Sequence, residues 1–110
     1  MGPRRVALAY LHAFCAGNLE ALIGLLADDL HFDGPFTSAR SWAAYVSELR
    51  DSPPEPARFE VLHAFEEEDR SGVFFRYEKA GVSVPMALYC GVRDGRIHEL
   101  RLYFDGRAFT

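Results

Sequence analysis

The sequence predicts an α+β fold in which three helices come first and an antiparallel sheet follows. Apart from one extended stretch near Leu30, apolar residues in the first half recur with a helical period, whereas from Ala57 onward they alternate with polar residues as in β-strands. Three prolines within positions 53–56 separate the two halves, because a helix cannot continue through them. This order indicates helices packed in the concavity of one curved, mostly antiparallel sheet.

The first helix is predicted to be buried, because apolar residues surround most of its surface. It begins near Pro3, which a first helical turn tolerates, and it ends at Gly17, which suits a left-handed cap. Tyr10 and Phe14 are four residues apart and therefore share a face. Asn18 then caps a second, short helix.

A change from helix to strand is predicted at Leu30, followed by a bend at the Gly-Pro pair of positions 34 and 35. Asp28 and Asp29 suit the exit of the second helix better than its last turn, because the negative end of the helix dipole repels carboxylates. Asp33 ends a half-buried strand beside the bend, and we expect it at the mouth of a pocket.

A third helix is expected after the bend, with Thr37 or Ser38 as its cap. Its apolar face carries Trp42, Tyr45, Val46 and Leu49. The first long strand follows from Ala57. Its inner face is predicted to consist of Phe59, Val61, His63 and Phe65, because these residues occupy every second position of the strand and therefore share one face.

Three more strands are predicted at residues 73–79, 82–93 and 96–105, with Asp94-Gly95 as a strong hairpin signal. The middle strand is apolar on both faces. One face carries Val84, Met86, Leu88 and Cys90, and the other carries Pro85, Ala87 and Tyr89. Only one of these faces can line an interior, so we expect the convex face of the sheet to form a homodimer.

The composition limits the class of protein. A chain of 110 residues suits one domain, residues 1–110, with a core that needs no metal or disulfide. A net charge of -4 and a pI of about 5.5 argue against nucleic acid and anionic membranes as partners. No apolar run approaches the roughly 20 residues of a membrane span, and no convincing secretory signal begins the chain. We therefore expect a cytoplasmic protein.

Metal and redox chemistry are not indicated. Cys15 and Cys90 have no CxxC spacing, so we expect two buried thiols. No histidine is spaced from another or from an acid in a recognised ligand motif; the four are His12, His31, His63 and His98. We expect neither a metal nor a cofactor.

Five short segments of the chain occur in an order and spacing that are characteristic of a known fold. They are Ala16-Gly17-Asn18-Leu19-Glu20-Ala21-Leu22, Ala27-Asp28-Asp29, Gly34-Pro35-Phe36, Asp94-Gly95-Arg96-Ile97 and Tyr103-Phe104-Asp105. With them the chain resembles the nuclear transport factor 2-like (NTF2-like) superfamily, and within it the SnoaL-like polyketide cyclases and ketosteroid isomerases. The resemblance covers nearly the whole length and implies a cone-shaped fold with a pocket between the helices and the concave sheet face. It does not specify an activity, because this fold hosts isomerases, cyclases, epoxide hydrolases, dehydratases and non-catalytic binders.

The resemblance implies part of an isomerase site. The tyrosine that donates to the oxyanion in the isomerases matches Tyr10. The isomerases' pocket aromatics and lining residues match Tyr45, Phe75, Tyr77 and Phe104. The general-base aspartate, however, falls on Gly34, with Asp33 one residue early, and the second oxyanion donor falls near Tyr89, or at Leu88 after a slip of one residue. A shift of one residue on a strand turns a side chain to the other face, so the usual isomerase mechanism is in doubt.

The candidate catalytic residues are Tyr10, Asp33, His63 and Tyr89. Tyr10 and Tyr89 are either a pair of oxyanion donors or core tyrosines with structural hydrogen bonds. Asp33 and His63 are alternative general bases, although a lone histidine on an apolar strand face, as His63 is predicted to be, is more often a core residue than a base. The candidate substrate-binding residues are Phe14, Phe32, Trp42, Tyr45, Phe75, Tyr77, His98, Leu102 and Phe104. The resemblance further implies a smaller or more open cavity than in larger relatives that carry an extra C-terminal segment.

Three classes of function follow. The first is a cofactor-independent isomerase or cyclase that acts on an apolar carbonyl or polyketide-like compound by acid–base catalysis, and we place it slightly ahead. The second is a non-catalytic pocket for an apolar ligand. The third is a dimeric scaffold whose cone is filled with side chains.

Overall fold

The computed structural model describes residues 2–109, and three helices and six strands lie within that range. The elements are α1 (Pro3–Ala16), α2 (Leu19–Ile23), β1 (Leu26–Asp33), β2 (Ser38–Ala39), α3 (Trp42–Asp51), β3 (Arg58–Glu67), β4 (Arg70–Lys79), β5 (Val82–Arg93) and β6 (Arg96–Tyr103). A 3-10 turn follows at Gly106–Phe109. The predicted α+β class, with helices before the long strands, is confirmed.

All six strands form one curved, unclosed sheet in the order β2-β1-β6-β5-β4-β3. β3 to β6 are an antiparallel meander, whereas β1 pairs with β6 in parallel. The helices pack on the concave face, and the core residues of the long strands alternate as expected for one buried face. The inward residues of β4 and β5 are Ser71, Val73, Phe75, Tyr77, Val84, Met86, Leu88 and Cys90.

The predicted caps of the first two helices are confirmed. Gly17 adopts φ +69°, in the left-handed region that glycine favours, and ends α1. The side chain of Asn18 accepts a hydrogen bond of 3.2 Å from the backbone N–H of Ala21 at the start of α2. These two adjacent residues therefore turn the chain sharply between two helices.

The predicted helix exit at Asp28 and Asp29 is wrong, because both residues lie in β1, which already begins at Leu26. The helix dipole argument is correct in one respect. α2 ends at Ile23, so neither acid lies in its last turn. Asp29 instead accepts a 2.6 Å hydrogen bond from the guanidinium of Arg93 at the end of β5. This pair ties β1 to the end of β5, across the intervening β6.

The predicted cap of α3 is also wrong. Ser41 is the cap, and its hydroxyl oxygen accepts a 3.1 Å hydrogen bond from the backbone N–H of Ala44. Ser38 belongs to β2, which folds back on β1 after the bend. The bend is closed by a 2.9 Å hydrogen bond from the backbone N–H of Gly34 to the carbonyl of Thr37.

A β-bulge divides β3, so the strand does not have the single inner face that the alternation predicts. The register against β4 shifts between Val61 and His63. Phe59 lies before the bulge on the concave side, whereas His63 and Phe65 lie after it on the convex side, where Phe65 contacts Phe74 edge to face. One extra residue in a strand reverses the faces of everything beyond it.

A second bulge lies in β6. The pairs of β5 with β6 change from Gly91 with Glu99 to Val92 with Ile97, which leaves His98 without a cross-strand partner. No helix within residues 2–109 is long and apolar enough to cross a membrane.

Candidate functional site

A cavity of about 380 Å³ opens between α1, the concave face of β4–β6 and the bend after β1. This volume lies in the range of small-molecule sites. Most of the lining atoms are apolar. The cavity is lined by Tyr10, Leu11, Phe14, Cys15, Gly34, Pro35, Phe36, Thr37, Phe75, Tyr77, Lys79, Met86, Leu102, Phe104 and Phe109.

Six residues selected from the sequence line this cavity: Tyr10, Phe14, Phe75, Tyr77, Leu102 and Phe104. They come from α1, β4, β6 and the segment after β6, which the sheet order brings around one space. Tyr10 and Phe14 share the inward face of α1, with ring centroids 6.0 Å apart.

A buried tyrosine pair lies against the cavity. The hydroxyls of Tyr10 and Tyr45 share a hydrogen bond of 2.5 Å, and the ring of Phe32 packs against Tyr45 with centroids 4.5 Å apart. Burial, and then the neighbouring Tyr45, raises the pKa of Tyr10 well above its usual value. Burial likewise raises the pKa of Tyr45. Both phenols are therefore neutral at physiological pH and available as hydrogen-bond donors.

Of the other predicted aromatic residues, Tyr45 and Phe32 lie behind Tyr10 rather than in the cavity wall. Trp42 is half-buried against the core and does not line the cavity either. Tyr45 contacts Tyr10 directly, and Phe32 packs against Tyr45 from β1. The bend is joined to α3 by a 2.9 Å hydrogen bond that the Thr37 hydroxyl donates to the carboxylate of Glu48.

Aromatic rings form the rim of the cavity. Phe104 contacts both Phe36 and Phe109 edge to face, each at 5.4 Å between centroids. Phe109 contacts Tyr77 at 6.2 Å. A Cβ atom added at Gly106 would lie 2.8 Å from the ring of Phe36, so a side chain there would displace this ring.

Cys15 contributes a thiol to the cavity wall. Burial raises the pKa of this thiol to about 11. The thiolate is the nucleophilic form, and it is scarcely populated at physiological pH. Cys15 is therefore an apolar wall residue.

Asp33 does not reach the cavity. It is exposed and pairs in register with Arg101 of β6, on the face opposite to Phe32 and Leu100. It borders a separate depression with Tyr103. The one-residue offset from the isomerase position therefore turns the carboxylate away from the tyrosine pair.

Tyr89, His63 and His98 also lie outside the cavity. Tyr89 is on the convex face, where the guanidinium groups of Arg70 and Arg101 lie over its ring at 5.7 and 5.9 Å. The bulge in β3 places His63 on that face as well, and His98 is the bulged residue of β6. Tyr10 and Tyr89 are therefore on opposite sides of the sheet, and neither histidine lines the space that Tyr10 lines.

Sequence reasoning did not select several lining residues, among them Lys79, Phe36 and Phe109. Lys79 was identifiable, since it continues the inward series Val73, Phe75 and Tyr77 at a spacing of two. Phe109 gave no periodic signal, because it lies in a 3-10 turn after the last strand. No cluster of three or more His, Cys, Asp or Glu side chains within residues 2–109 is placed to hold a metal ion.

Comparisons with solved structures find the same fold in bacterial proteins of low sequence identity. A protein from Kribbella flavida is 22% identical, with a TM-score of 0.85, over 98% of this chain and 90% of the other. A protein with a ketosteroid isomerase-like fold from Catenulispora acidiphila, solved with trimethylamine, is 18% identical, with a TM-score of 0.78, over 98% and 90%. A Mycobacterium tuberculosis epoxide hydrolase of the LEH-like type is 20% identical, with a TM-score of 0.76, over 94% and 83%.

Comparison with curated proteins finds no match. The sequence profile of the SnoaL-like domain matches residues 7–100, which include β1 to β5, the first part of β6 and most of α1. Since the match covers most of the chain, and the structure has the α+β architecture of its NTF2-like neighbours, this protein belongs to the SnoaL-like domain family of the NTF2-like superfamily.

Proposed function

We propose that this protein binds a small, mostly apolar molecule in the cavity. The observation that carries the proposal is the wall itself, which is built from aromatic and aliphatic side chains of α1, β4, β5 and β6. Moving apolar surface from water to such a wall lowers the free energy of the system by about 25 cal/mol for each Å² buried. A cavity of about 380 Å³ is large enough for a compact ring system or a folded alkyl chain.

The tyrosine pair gives this site one polar contact. When one hydroxyl donates to the other across 2.5 Å, the second hydroxyl hydrogen of the pair is left to donate elsewhere. Because Tyr10 lines the cavity, a carbonyl or hydroxyl oxygen of the ligand can meet the pair there. The expected ligand therefore has an apolar body and at least one oxygen.

Catalysis of the isomerase or cyclase type is the second candidate, and the neutral tyrosine pair favours it. Such a pair can stabilise an oxyanion as it develops on a carbonyl. Proton abstraction also needs a base within hydrogen-bond reach, and no Asp, Glu or His side chain within residues 2–109 lines the cavity. Binding is therefore the better supported function.

Hydrogen–deuterium exchange of the protons beside the ligand carbonyl, measured by NMR in D2O, distinguishes binding from catalysis. A protein that only binds the ligand leaves the exchange rate unchanged.

The proposal is tested by filling the cavity. Leu102 lines it, whereas the next residue, Tyr103, is exposed on the other face of β6. We expect Leu102→Trp to weaken binding of alkyl and aromatic carbonyl compounds at least about tenfold, because the indole takes the ligand's volume. Ligand at about a hundred times its Kd should raise the wild-type Tm by on the order of ten degrees.

Tyr103→Trp is the matched control and should bind as the wild type does. Equal binding to wild type and Leu102→Trp would show that the ligand sits elsewhere. No Tm shift with any apolar class would reject the binding function and favour a scaffold with an unused cavity.

We also propose that the protein is a cytoplasmic homodimer that pairs through the convex face. A row of cross-strand neighbours crosses this face from His63 through Phe74 and Ala87 to Tyr103. Phe74 and Tyr103 are exposed, and Phe74 is also in contact with the exposed Phe65. A mostly apolar row that crosses four strands and exposes two aromatic rings favours burial against a second copy of the same surface.

A further inference from the structure

We propose that the ligand carries a carboxylate at one end, and that Lys79 holds this carboxylate at the mouth of the cavity while the apolar body lies inside. The inference rests on the proposed binding function and specifies its ligand class. Lys79 is the one charged side chain among the cavity-lining residues that the structure describes.

The inward side chains of β4 change in polarity from the interior to the mouth. Phe75 is 1% exposed and Tyr77 is 9% exposed, and the side chain of Lys79 is 34% exposed. The series thus passes from a hydrocarbon ring to a phenol and then to an ammonium group along one wall. A molecule that matches this wall has an apolar body and an anionic end.

Lys79 already has a carboxylate partner that a ligand can replace. Its ammonium group lies 3.2 Å from the carboxylate of Glu55, whose side chain is 73% exposed. Glu55 belongs to the proline-rich connector between α3 and β3, not to the cavity wall. An ion pair this exposed contributes little to the stability of a protein. Exchanging Glu55 for a ligand carboxylate therefore costs little.

Tyr77 adds a neutral donor near the same point. Burial, and then the neighbouring Cys15 and Glu55, raises the pKa of Tyr77, so its hydroxyl remains protonated. Tyr77 lies two residues before Lys79 on the same face of β4, so the phenol and the ammonium group are neighbours along the cavity wall. One ammonium and one hydroxyl match a monoanion, whereas phosphate groups are usually held by several cations or backbone N–H groups.

Matched acids and esters test the inference. Decanoate and methyl decanoate, and naphthoate and its methyl ester, would be titrated calorimetrically at low salt into the wild type and Lys79→Met. We expect wild type to bind each acid about tenfold more tightly than its ester, as one charge-assisted contact at a partly exposed site provides. Lys79→Met keeps the aliphatic stem and should lose this preference while it still binds the esters.

Glu55→Gln should tighten acid binding by about threefold and leave ester binding unchanged, because it removes the competing carboxylate. Arg58→Met is the charge control, since Arg58 is exposed on β3 and does not line the cavity; it should keep the wild-type preference. Equal affinity of wild type for acid and ester, or an unchanged preference in Lys79→Met, would overturn the inference alone. Binding of neither acid nor ester to the wild type would reject the proposed function, and this inference with it.

Discussion

The hydroxyl groups of Tyr10 and Tyr45 satisfy each other in the interior of the protein. Tyr10 and Tyr45 are each 4% exposed, so little water reaches the remaining hydroxyl if its partner is removed. A buried polar group without a partner costs about 1–3 kcal/mol, whereas removing both partners costs less. The pair therefore contributes to stability as well as to the polar contact we propose for the ligand.

We expect Tyr10→Phe and Tyr45→Phe each to lower the free energy of unfolding by about 1–3 kcal/mol, because each leaves one hydroxyl buried alone. The double variant should lose less than the sum of the two losses, with a coupling of about 1 kcal/mol. Urea unfolding of the four proteins measures this cycle. Ser47→Ala is the control and should stay within about 0.5 kcal/mol of the wild type, since it removes a hydroxyl from the exposed side of α3. Additive losses would show that the hydroxyls act independently.

Single residues on regular elements were placed well from the sequence. Tyr10, Phe14, Phe75 and Tyr77 line the cavity because the helical period of α1 and the strand period of β4 are uninterrupted. Tyr89 was misplaced because the resemblance left a slip of one residue to Leu88 open, and the hydrophobicity of β5, which is apolar on both faces, does not identify the inward one. Burial of Met86 and Leu88 identifies it, and this information comes only from tertiary packing.

At the scale of the strand, the bulges are what the sequence did not reveal. Val61, Leu62 and His63 are consistent with regular alternation, and no glycine or proline marks the extra residue in β3. The caps of α1 and α2 and the last hairpin turn were readable, because Gly17, Asn18 and Asp94-Gly95 have strong local preferences for those conformations. Where no such residue marks an element's end, as at the start of β1 and of α3, local chemistry misplaced the boundary.

The junction of α1 with the proline-rich connector depends on Gly17. We expect Gly17→Ala to destabilise the protein by about 1–2 kcal/mol, because alanine is strained at φ +69° and its Cβ would lie 3.2 Å from the carbonyl oxygen of Pro54. Thermal or urea unfolding measures the loss.

Gly24→Ala is the matched control. Gly24 has right-handed helical φ and ψ angles, and a Cβ there would meet its neighbours at ordinary distances of 3.5 Å or more. It should leave stability unchanged or raise it by about 0.5 kcal/mol. Similar losses in both variants would contradict a specific role for the left-handed cap.

At the scale of the whole molecule, the two sheet faces have separate roles in our proposal, ligand inside and partner outside. Phe74 is 50% exposed near the centre of the outer face. We expect Phe74→Glu to weaken dimerisation at least about a hundredfold, because an unpaired carboxylate would be buried twice in a symmetric interface. Sedimentation velocity over a range of concentrations measures this change.

Ligand binding by Phe74→Glu should be unchanged, since Phe74 points away from the cavity. Ala43→Glu, on the exposed side of α3, is the matched control and should remain dimeric. A wild type that sediments as a monomer, or a Phe74→Glu variant that stays a dimer, would reject pairing through this face.

The parallel pairing of β1 with β6 determines when the chain can finish folding. β3 to β6 are joined by two-residue hairpins with left-handed residues at Glu68, Ala80 and Asp94, so their contacts are local and form early. β1 pairs later, because its partner strand β6 follows the other strands of the meander in the sequence. During synthesis on a ribosome, α1 and the bend after β1 emerge first. They would nevertheless be the last parts of the cavity to pack against their neighbours, because β6 is synthesised last. Until β6 has been synthesised and paired, the aromatic residues of the cavity are exposed to solvent. Binding of a chaperone or of the ligand would protect the chain from aggregation most at that stage.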